Sequence, residues 1–125
     1  MKIGLLQINP TVGDLAGNAR LIADAARDAA AQGADLAVTP ELALVGYLPR
    51  DLLLSHAFVA RSWEVLAGLA REMADLPPTL VGLPEPNSSE EGRPLFNTAV
   101  LVRGGRVDQR FRKTLLPTYD VFDED

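Results

Sequence analysis

The first 38 residues contain two short apolar runs, separated by a turn and an amphipathic segment. The run IGLLQI, residues 3–8, predicts a buried β-strand because its apolar residues do not alternate with polar ones. Residues 34–38, ADLAV, predict a second strand. Between the runs, Asp14 can cap the start of a helix, and Gly33 is suited to its end. A strand, a helix and a strand in this order are typical of α/β folds.

The rest of the chain extends this α/β pattern. A second helix is predicted over about residues 55–74, and TLVGLP, residues 79–84, predicts a third strand. Residues 85–94 are polar and rich in turn formers, which indicates an exposed loop. Two further strands flank Gly104–Gly105, a pair typical of a β-hairpin turn. The order β-α-β-α-β-β-β indicates one α/β domain whose sheet mixes parallel and antiparallel pairs.

Composition excludes several classes of function. The 125 residues include no cysteine and one histidine, His56. Disulfides, thiolate or clustered-histidine metal sites and a cysteine nucleophile within this sequence are therefore excluded. The formal net charge of −5 argues against nucleic acid as a partner, and no apolar run reaches the roughly 20 residues needed to span a bilayer. We expect a cytoplasmic globular protein that binds neither nucleic acid nor membrane, with His56 in a capping or surface role.

Glu41 is the first candidate for chemistry because it follows the second predicted strand, directly after Pro40. The ends of strands in α/β sheets are where ligand-binding loops gather. A carboxylate among the apolar residues that follow it would be partly desolvated, which suits a general base. A surface glutamate at a turn is the alternative interpretation of the same residue.

Lys113 is the second candidate, and it is one of only two lysines in the sequence. It ends the return strand of the predicted hairpin, where the chain passes into a loop. An ammonium group there could stabilise negative charge that develops on a substrate oxygen. A solvated lysine at a strand end is the alternative. Arg112 beside it has the character of an ordinary surface charge.

Aromatic residues near these two candidates could line a pocket. Tyr119 and Phe122 lie among carboxylates in the tail TYDVFDED, so the tail could form a pocket wall that recognises an amine. A solvated acidic loop with one aromatic anchor is the alternative. Tyr47, six residues after Glu41, could face the same pocket or fill the core. Trp63 lies on the apolar face of the second predicted helix, which favours core packing.

Three stretches of the chain together resemble one protein family. They are MKIGLLQINPTVGDLAGN, GADLAVTPELALVGYLPRDLL and RKTLLPTYDVFDED. They are similar to the amino-terminal glutaminase domains of glutamine-dependent NAD⁺ synthetases, a branch of the nitrilase, or carbon–nitrogen hydrolase, superfamily. Two motifs are specific to this family: PELxxxGYxxxDLL around Glu41, and KxxLPxYxVFDE from Lys113 onward. The resemblance runs from Met1 to Asp125.

The resemblance implies a fold and a set of roles. The fold is the amino-terminal portion of a four-layer αββα sandwich, a mixed β-sheet with flanking helices, which would leave sheet edges and apolar faces exposed. The family uses a Glu-Lys-Cys triad: Glu41 matches its general base, and Lys113 matches the residue that stabilises the oxyanion. The cysteine has no counterpart in this sequence. Glu124 matches a second glutamate near the substrate amide. The positions that line the glutamine pocket are matched by Tyr47, Tyr119 and Phe122.

The implied reaction is hydrolysis of the side-chain amide of glutamine through a glutamyl thioester. In the whole enzyme the ammonia would pass to a carboxy-terminal synthetase domain, which uses ATP and Mg²⁺ to amidate nicotinic acid adenine dinucleotide. No cofactor or metal is expected within residues 1–125, which would form a truncated domain that is inactive alone. The implied partners are glutamine, the chain's own synthetase domain and further copies in a homo-oligomer.

Two alternatives to this function stay open. The first is another amidase of the same superfamily, acting on a small amide or a carbamoyl substrate. The second is a non-catalytic module that uses the nitrilase fold to bind a partner.

Overall fold

The computed structural model describes residues 1–46, 55–86 and 95–114, without the side chains of residues 95, 113 and 114. The residues predicted to bind substrate, Tyr47, Tyr119, Phe122 and Glu124, lie outside the described residues. The strands are β1 (Ile3–Leu5), β2 (Leu36–Val38), β3 (Thr79–Pro86), β4 (Leu95–Arg103) and β5 (Arg106–Thr114). The described helices are α1 (Leu15–Ala31) and α2 (His56–Glu72).

The five strands form one mixed sheet in the order β1-β2-β3-β4-β5. The pairs β1–β2 and β2–β3 are parallel, whereas β3–β4 and β4–β5 are antiparallel. The hairpin turn lies at Gly104 and Gly105, with φ of 64° and 86°, and positive φ at both turn residues favours glycine. The predicted mixed sheet and the predicted hairpin are both confirmed.

The ends of both helices follow from local chemistry. The Asp14 carboxylate accepts a hydrogen bond from the Gly17 N–H at 3.0 Å, and Gly33 ends α1 with φ of 90°, both as predicted. The hydroxyl of Ser55 accepts from the Phe58 N–H at 3.2 Å and so caps α2. His56 is the exposed first residue of that helix, which confirms its surface role. Neither helix in these ranges is long and apolar enough to cross a membrane.

The hydrophobic core lies between the helices and one face of the sheet. Ile22 of α1 and Leu66 of α2 are buried together with Val81 of β3 and Val100 of β4. Trp63 packs at the margin of this core, partly buried, and its indole N–H donates to the Pro84 carbonyl at 2.8 Å. The core residues of β3 (Val81 and Leu83) and of β4 (Val100 and Val102) are every second residue of their strands, so the residues between them face the opposite side of the sheet.

That opposite face of the sheet is not covered by any element in the described ranges. Ile3, Leu5 and Phe111 are 51%, 71% and 52% exposed. The prediction of a buried strand over residues 3–8 is therefore wrong in two respects, since β1 has three residues and two of them are exposed. The physical reason is that helices pack on one face only, so every second residue of β1 meets no second layer.

The end of β3 also differs from the sequence-based prediction. Glu85 was expected in an exposed loop, but β3 continues to Pro86 in register with β4, and Glu85 is only 5% exposed. Its carboxylate is bound by Arg110 and Arg112 of β5, so Arg112 is not an ordinary surface charge. Local turn propensity did not reveal these cross-strand cations, which lie more than 20 residues away along the chain.

Candidate active site

The turn that follows β2 is tied to β3 by backbone and side-chain hydrogen bonds. The Thr39 N–H donates to the Leu80 carbonyl at 3.0 Å, and the Gly82 N–H donates to the Thr39 hydroxyl at 3.1 Å. Farther along the turn, the Leu44 N–H donates to the Gly82 carbonyl at 3.1 Å. Residues 39–44 therefore lie directly against β3.

Gly82 makes this close approach possible. A Cβ atom at position 82 would lie 2.6 Å from the Leu42 backbone nitrogen and 3.0 Å from the Pro40 carbonyl oxygen, closer than van der Waals contact allows. Leu42 itself has φ of 53°, a left-handed conformation that is uncommon for a branched residue. Such a backbone persists only where its surroundings hold it, and here Leu42 is buried against the core.

Asn18 of α1 holds the same turn from the helix side. It is fully buried, and its side-chain amide donates to the Leu44 carbonyl at 3.1 Å and to the Thr11 carbonyl at 2.8 Å. Its side-chain oxygen accepts from the Thr11 N–H at 2.7 Å. The turn is thus fixed by both α1 and β3.

Glu41 lies at the exposed tip of this turn and is held by a residue of β4. The side-chain amide of Asn97 donates a short hydrogen bond to Oε2 of Glu41, and Asn97 is only 8% exposed. The expectation that apolar neighbours would desolvate Glu41 is wrong for the described residues. Residues 42–45 are buried because they pack inward, which leaves Glu41 on the uncovered face of the sheet.

A concave pocket of about 270 Å³ lies beside Glu41 on that uncovered face. Apolar groups from β2, β3 and β5 form most of its wall, and Glu41, Asn97 and Thr39 contribute polar groups. Phe111 closes one side. A largely apolar depression with a few convergent polar groups is typical of a small-molecule site.

Lys113 is placed by its strand register. It is the β5 partner of Asn97, in the antiparallel pairing that also joins Ala99 to Phe111. Directly opposite residues of antiparallel strands share a face, so position 113 lies on the pocket side of the sheet, next to the residue that binds Glu41. The convergence of the Glu41 carboxylate and the Lys113 amine on one cavity stays a prediction.

Two residues that matter here were missed from the sequence. Gly82 interrupts the apolar run TLVGLP, and a glycine inside a strand is a known signal of close backbone approach. Asn97 interrupts the apolar run LFNTAV in the same way. A buried amide in a strand requires a hydrogen-bond partner, but nothing local shows that the partner lies 56 residues earlier at Glu41.

The chain is similar to known proteins over almost its whole length. Residues 2–124 match the family model described as carbon-nitrogen hydrolase. The glutamine-dependent NAD(+) synthetase of Synechocystis sp. is 51% identical over 126 residues, which cover 98% of this chain and 23% of that protein. The chain thus spans about a quarter of the length of that relative.

Two solved structures share the fold. The glutamine-dependent NAD⁺ synthetase from Acinetobacter baumannii, in complex with ADP, has a TM-score of 0.81 at 30% identity, covering 98% of this chain and 22% of that one. A mutant of the amidase from Nesterenkonia sp. AN1, with acrylamide added at its active-site cysteine, has a TM-score of 0.72 at 32% identity, covering 93% of this chain and 45% of that one. The expected nitrilase-type α/β fold is confirmed.

Substitution of Gly82 tests the close approach of turn and strand. We expect Gly82→Ala to destabilise the protein by about 2 kcal/mol, because the added methyl group overpacks against the turn backbone. Gly68→Ala is the matched control: a Cβ there has only the Arg71 guanidinium nearby, at 3.9 Å, and a helical Gly-to-Ala change stabilises by up to about 1 kcal/mol. Thermal unfolding of both variants is the measurement. Equal or higher stability of Gly82→Ala would contradict the packing described here.

Proposed function

The chain belongs to the carbon–nitrogen hydrolase family, and we propose that it forms the amino-terminal part of a domain that hydrolyses the side-chain amide of glutamine. The observation that supports this most directly is the hydrogen bond from Asn97 to Glu41, made at the β4 position whose β5 partner is Lys113. A carboxylate held in one orientation, with a lysine on the adjacent strand of the same face, suits acyl transfer from an amide.

In the proposed mechanism, Glu41 is the general base and a cysteine outside this sequence is the nucleophile. Glu41 takes the thiol proton as the sulfur attacks the amide carbon of glutamine, and a C–S bond forms. The proton then passes to the leaving nitrogen, the C–N bond breaks and ammonia departs. Glu41 next takes a proton from water as the water oxygen attacks the thioester carbon. The C–S bond breaks, the proton passes from Glu41 to the sulfur, and glutamate is released with the thiol restored.

Lys113 is proposed to stabilise the two tetrahedral intermediates. Each carries a negative oxygen that was the carbonyl oxygen of glutamine, and an ammonium group aimed at that oxygen lowers the barrier for its formation. Asn97 has a different role, since its amide binds the base and orients it. Tyr47, Tyr119, Phe122 and Glu124 are proposed to complete the glutamine pocket, as the resemblance implies.

The uncovered face of the sheet supports a larger domain around this site. Ile3, Leu5 and Phe111 expose apolar surface that a second sheet of an αββα sandwich would cover. Such a cover would also exclude water from the pocket and desolvate Glu41, which strengthens electrostatic stabilisation of the oxyanion.

We propose that the ammonia serves an NAD⁺ synthetase reaction in the longer protein. The support is the 51% identity to the Synechocystis synthetase, of which the chain covers 23%. The remaining length would include a carboxy-terminal domain that uses ATP and Mg²⁺ to amidate nicotinic acid adenine dinucleotide, in a homo-oligomeric assembly.

A second candidate function is hydrolysis of another small amide by the same catalytic groups. It is favoured by the similarity to the Nesterenkonia amidase, at a TM-score of 0.72. Assay of the longer protein for ammonia release from glutamine and from small aliphatic amides distinguishes the two. Preference for glutamine is expected, and turnover of simple amides without glutamine turnover would favour the second candidate.

Substitution of the two catalytic candidates tests the proposed roles. In the longer protein, we expect Glu41→Gln and Lys113→Ala each to lower glutamine-driven NAD⁺ synthesis at least ~100-fold, the usual contribution of a general acid–base group. Synthesis driven by free ammonia should remain, because it bypasses the glutaminase. Steady-state assays with each nitrogen source measure the difference. Retained glutamine-driven synthesis would contradict the roles, and loss of both activities would show damage to folding instead.

Asn97 provides a separate test of the geometry around the base. We expect Asn97→Ala to lower glutamine-driven kcat by about 10- to 100-fold, because a hydrogen bond to a charged group contributes about 1.5–3 kcal/mol. Gln109→Ala is the matched control. Gln109 has the same side-chain amide group as Asn97 and lies on the same face of the sheet, as an exposed residue of β5 opposite Leu101. Equal kcat values for the two variants would show that the Asn97 bond does not orient Glu41 during catalysis.

A further inference from the structure

A buried carboxylate with four hydrogen-bond donors lies behind the candidate site, on the helix-covered face of the sheet. Oε1 of Glu85 accepts from the Thr98 hydroxyl at 3.0 Å and from Arg112 Nε at 2.9 Å. Oε2 accepts from Arg110 Nη1 at 2.7 Å and from Arg112 Nη2 at 2.9 Å. The cluster of Glu85, Thr98, Arg110 and Arg112 therefore joins β3, β4 and β5 through one carboxylate.

Aromatic rings hold the two cations of this cluster. The Arg110 guanidinium lies 4.7 Å from the centre of the Trp63 ring, and that of Arg112 lies 5.4 Å from the centre of the Phe96 ring. Both distances are within the range of cation–π attraction. The cluster is thereby also connected to α2 through Trp63, so its charged groups have little freedom to rearrange.

The carboxylate of the cluster remains ionised at neutral pH. Burial opposes ionisation of Glu85, but hydrogen bonds from Arg112, Thr98 and Arg110 outweigh that effect and hold the pKa of Glu85 below its ordinary value. The same interaction raises the pKa of Arg112. The ion pairs therefore persist across the physiological range.

Along β4 and β5, the cluster is one residue away from Asn97 and position 113. Thr98 pairs with Arg112, and the next pair toward the strand end is Asn97 with Lys113. Successive residues of a strand point to opposite faces. The contacts of Thr98 and Arg112 behind the sheet therefore set the backbone that presents Asn97 and position 113 in front of it.

The β4–β5 pair needs a contact that fixes its alignment near position 113, because its register changes along its length. Leu101 pairs with Gln109, but Val102 pairs with Val107, so Asp108 is an extra residue in β5. This irregularity lies between the Gly104–Gly105 turn and the cluster. A turn sets the register only of the strands that continue from it without interruption, so the alignment at position 113 must be set on the far side of the bulge.

Stability alone does not explain a buried carboxylate that is paired with two half-exposed arginines. Apolar side chains of similar volume often give equal or greater stability, and selection of one register is the best-attested use of buried polar groups. We propose that the Glu85 cluster is a positioning device that fixes the β4–β5 register beyond the bulge and so aligns Lys113 with Asn97 and Glu41. This inference rests on the proposed glutaminase function, and the cluster touches no reacting atom.

Kinetics of the longer protein test the inference. Glu85→Gln and Arg112→Gln are each expected to lower glutamine-driven kcat at least ~10-fold, with the KM for glutamine and ammonia-driven synthesis unchanged. The double variant should be no slower than the slower single variant, because residues that act as one unit are not additive. Arg112→Lys should recover part of the loss, since it keeps the charge without the paired hydrogen bonds.

Asp108→Asn is the matched control because it removes another cross-strand ion pair, with Arg103, which lies at the bulge itself and outside the cluster. Its kcat should equal that of the unsubstituted protein. Unchanged kcat in Glu85→Gln, multiplicative losses in the double variant, or equal loss of ammonia-driven synthesis would each overturn the positioning role.

Amide hydrogen exchange separates failure of this inference from failure of the proposed function. In Glu85→Gln, exchange should accelerate at least ~10-fold in residues 110–114 and stay unchanged in residues 102–107. This readout requires no enzymatic activity. If the unsubstituted protein does not hydrolyse glutamine, the proposed function is rejected. If Glu85→Gln changes amide exchange equally along the whole of β4 and β5, the positioning role of the cluster is rejected.

Discussion

The close contact between the turn after β2 and the backbone of β3 at Gly82 is the constraint on which the site depends. With no side chain at position 82, the Leu42 nitrogen and the Pro40 carbonyl can lie where a Cβ atom would otherwise be. The turn then packs its apolar residues into the core, and Glu41 is left on the other side of the sheet. In that position Glu41 accepts the hydrogen bond from Asn97.

The two faces of the sheet contain different parts of the structure. One face packs against α1 and α2 and contains the hydrophobic core and the Glu85 cluster. The other face contains the pocket, with Glu41 in the turn after β2, and with Asn97 and position 113 in the adjacent strands β4 and β5. Because alternate residues of β4 and β5 belong to different faces, the alignment of the chemical groups on one face is set by contacts on the other. This coupling explains why the Glu85 cluster, whose carboxylate accepts four hydrogen bonds, lies directly behind the candidate site.

Local sequence signals predicted the helices and strands. They failed where long-range contacts determine whether a residue is buried or paired. Asp14, Gly33 and the Gly104–Gly105 pair each act through nearest neighbours, so the helix ends and the hairpin were predictable. Glu85 appeared to begin a polar loop, because its partners Arg110 and Arg112 are brought to it only by strand pairing. The burial of residues 3–8 was overestimated since the sequence does not show which layers cover a strand.

The candidate site was predictable in part. Glu41 was identified from its place after a strand and from the family motif, but its exposure depends on where the residues after it pack. Asn97 was missed because its partner is distant along the chain. Lys113 was identified from the motif and from its rarity, and its place opposite Asn97 follows from the strand register, which the sequence alone does not define.

The most direct test of the account is the distance between the Glu41 carboxylate and the Lys113 ammonium group in a crystal structure of the proposed longer protein. The account predicts that these groups lie in one cavity, within about 6 Å, where opposite charges strongly affect each other. Side chains on opposite faces of the sheet in a natively folded protein would contradict it.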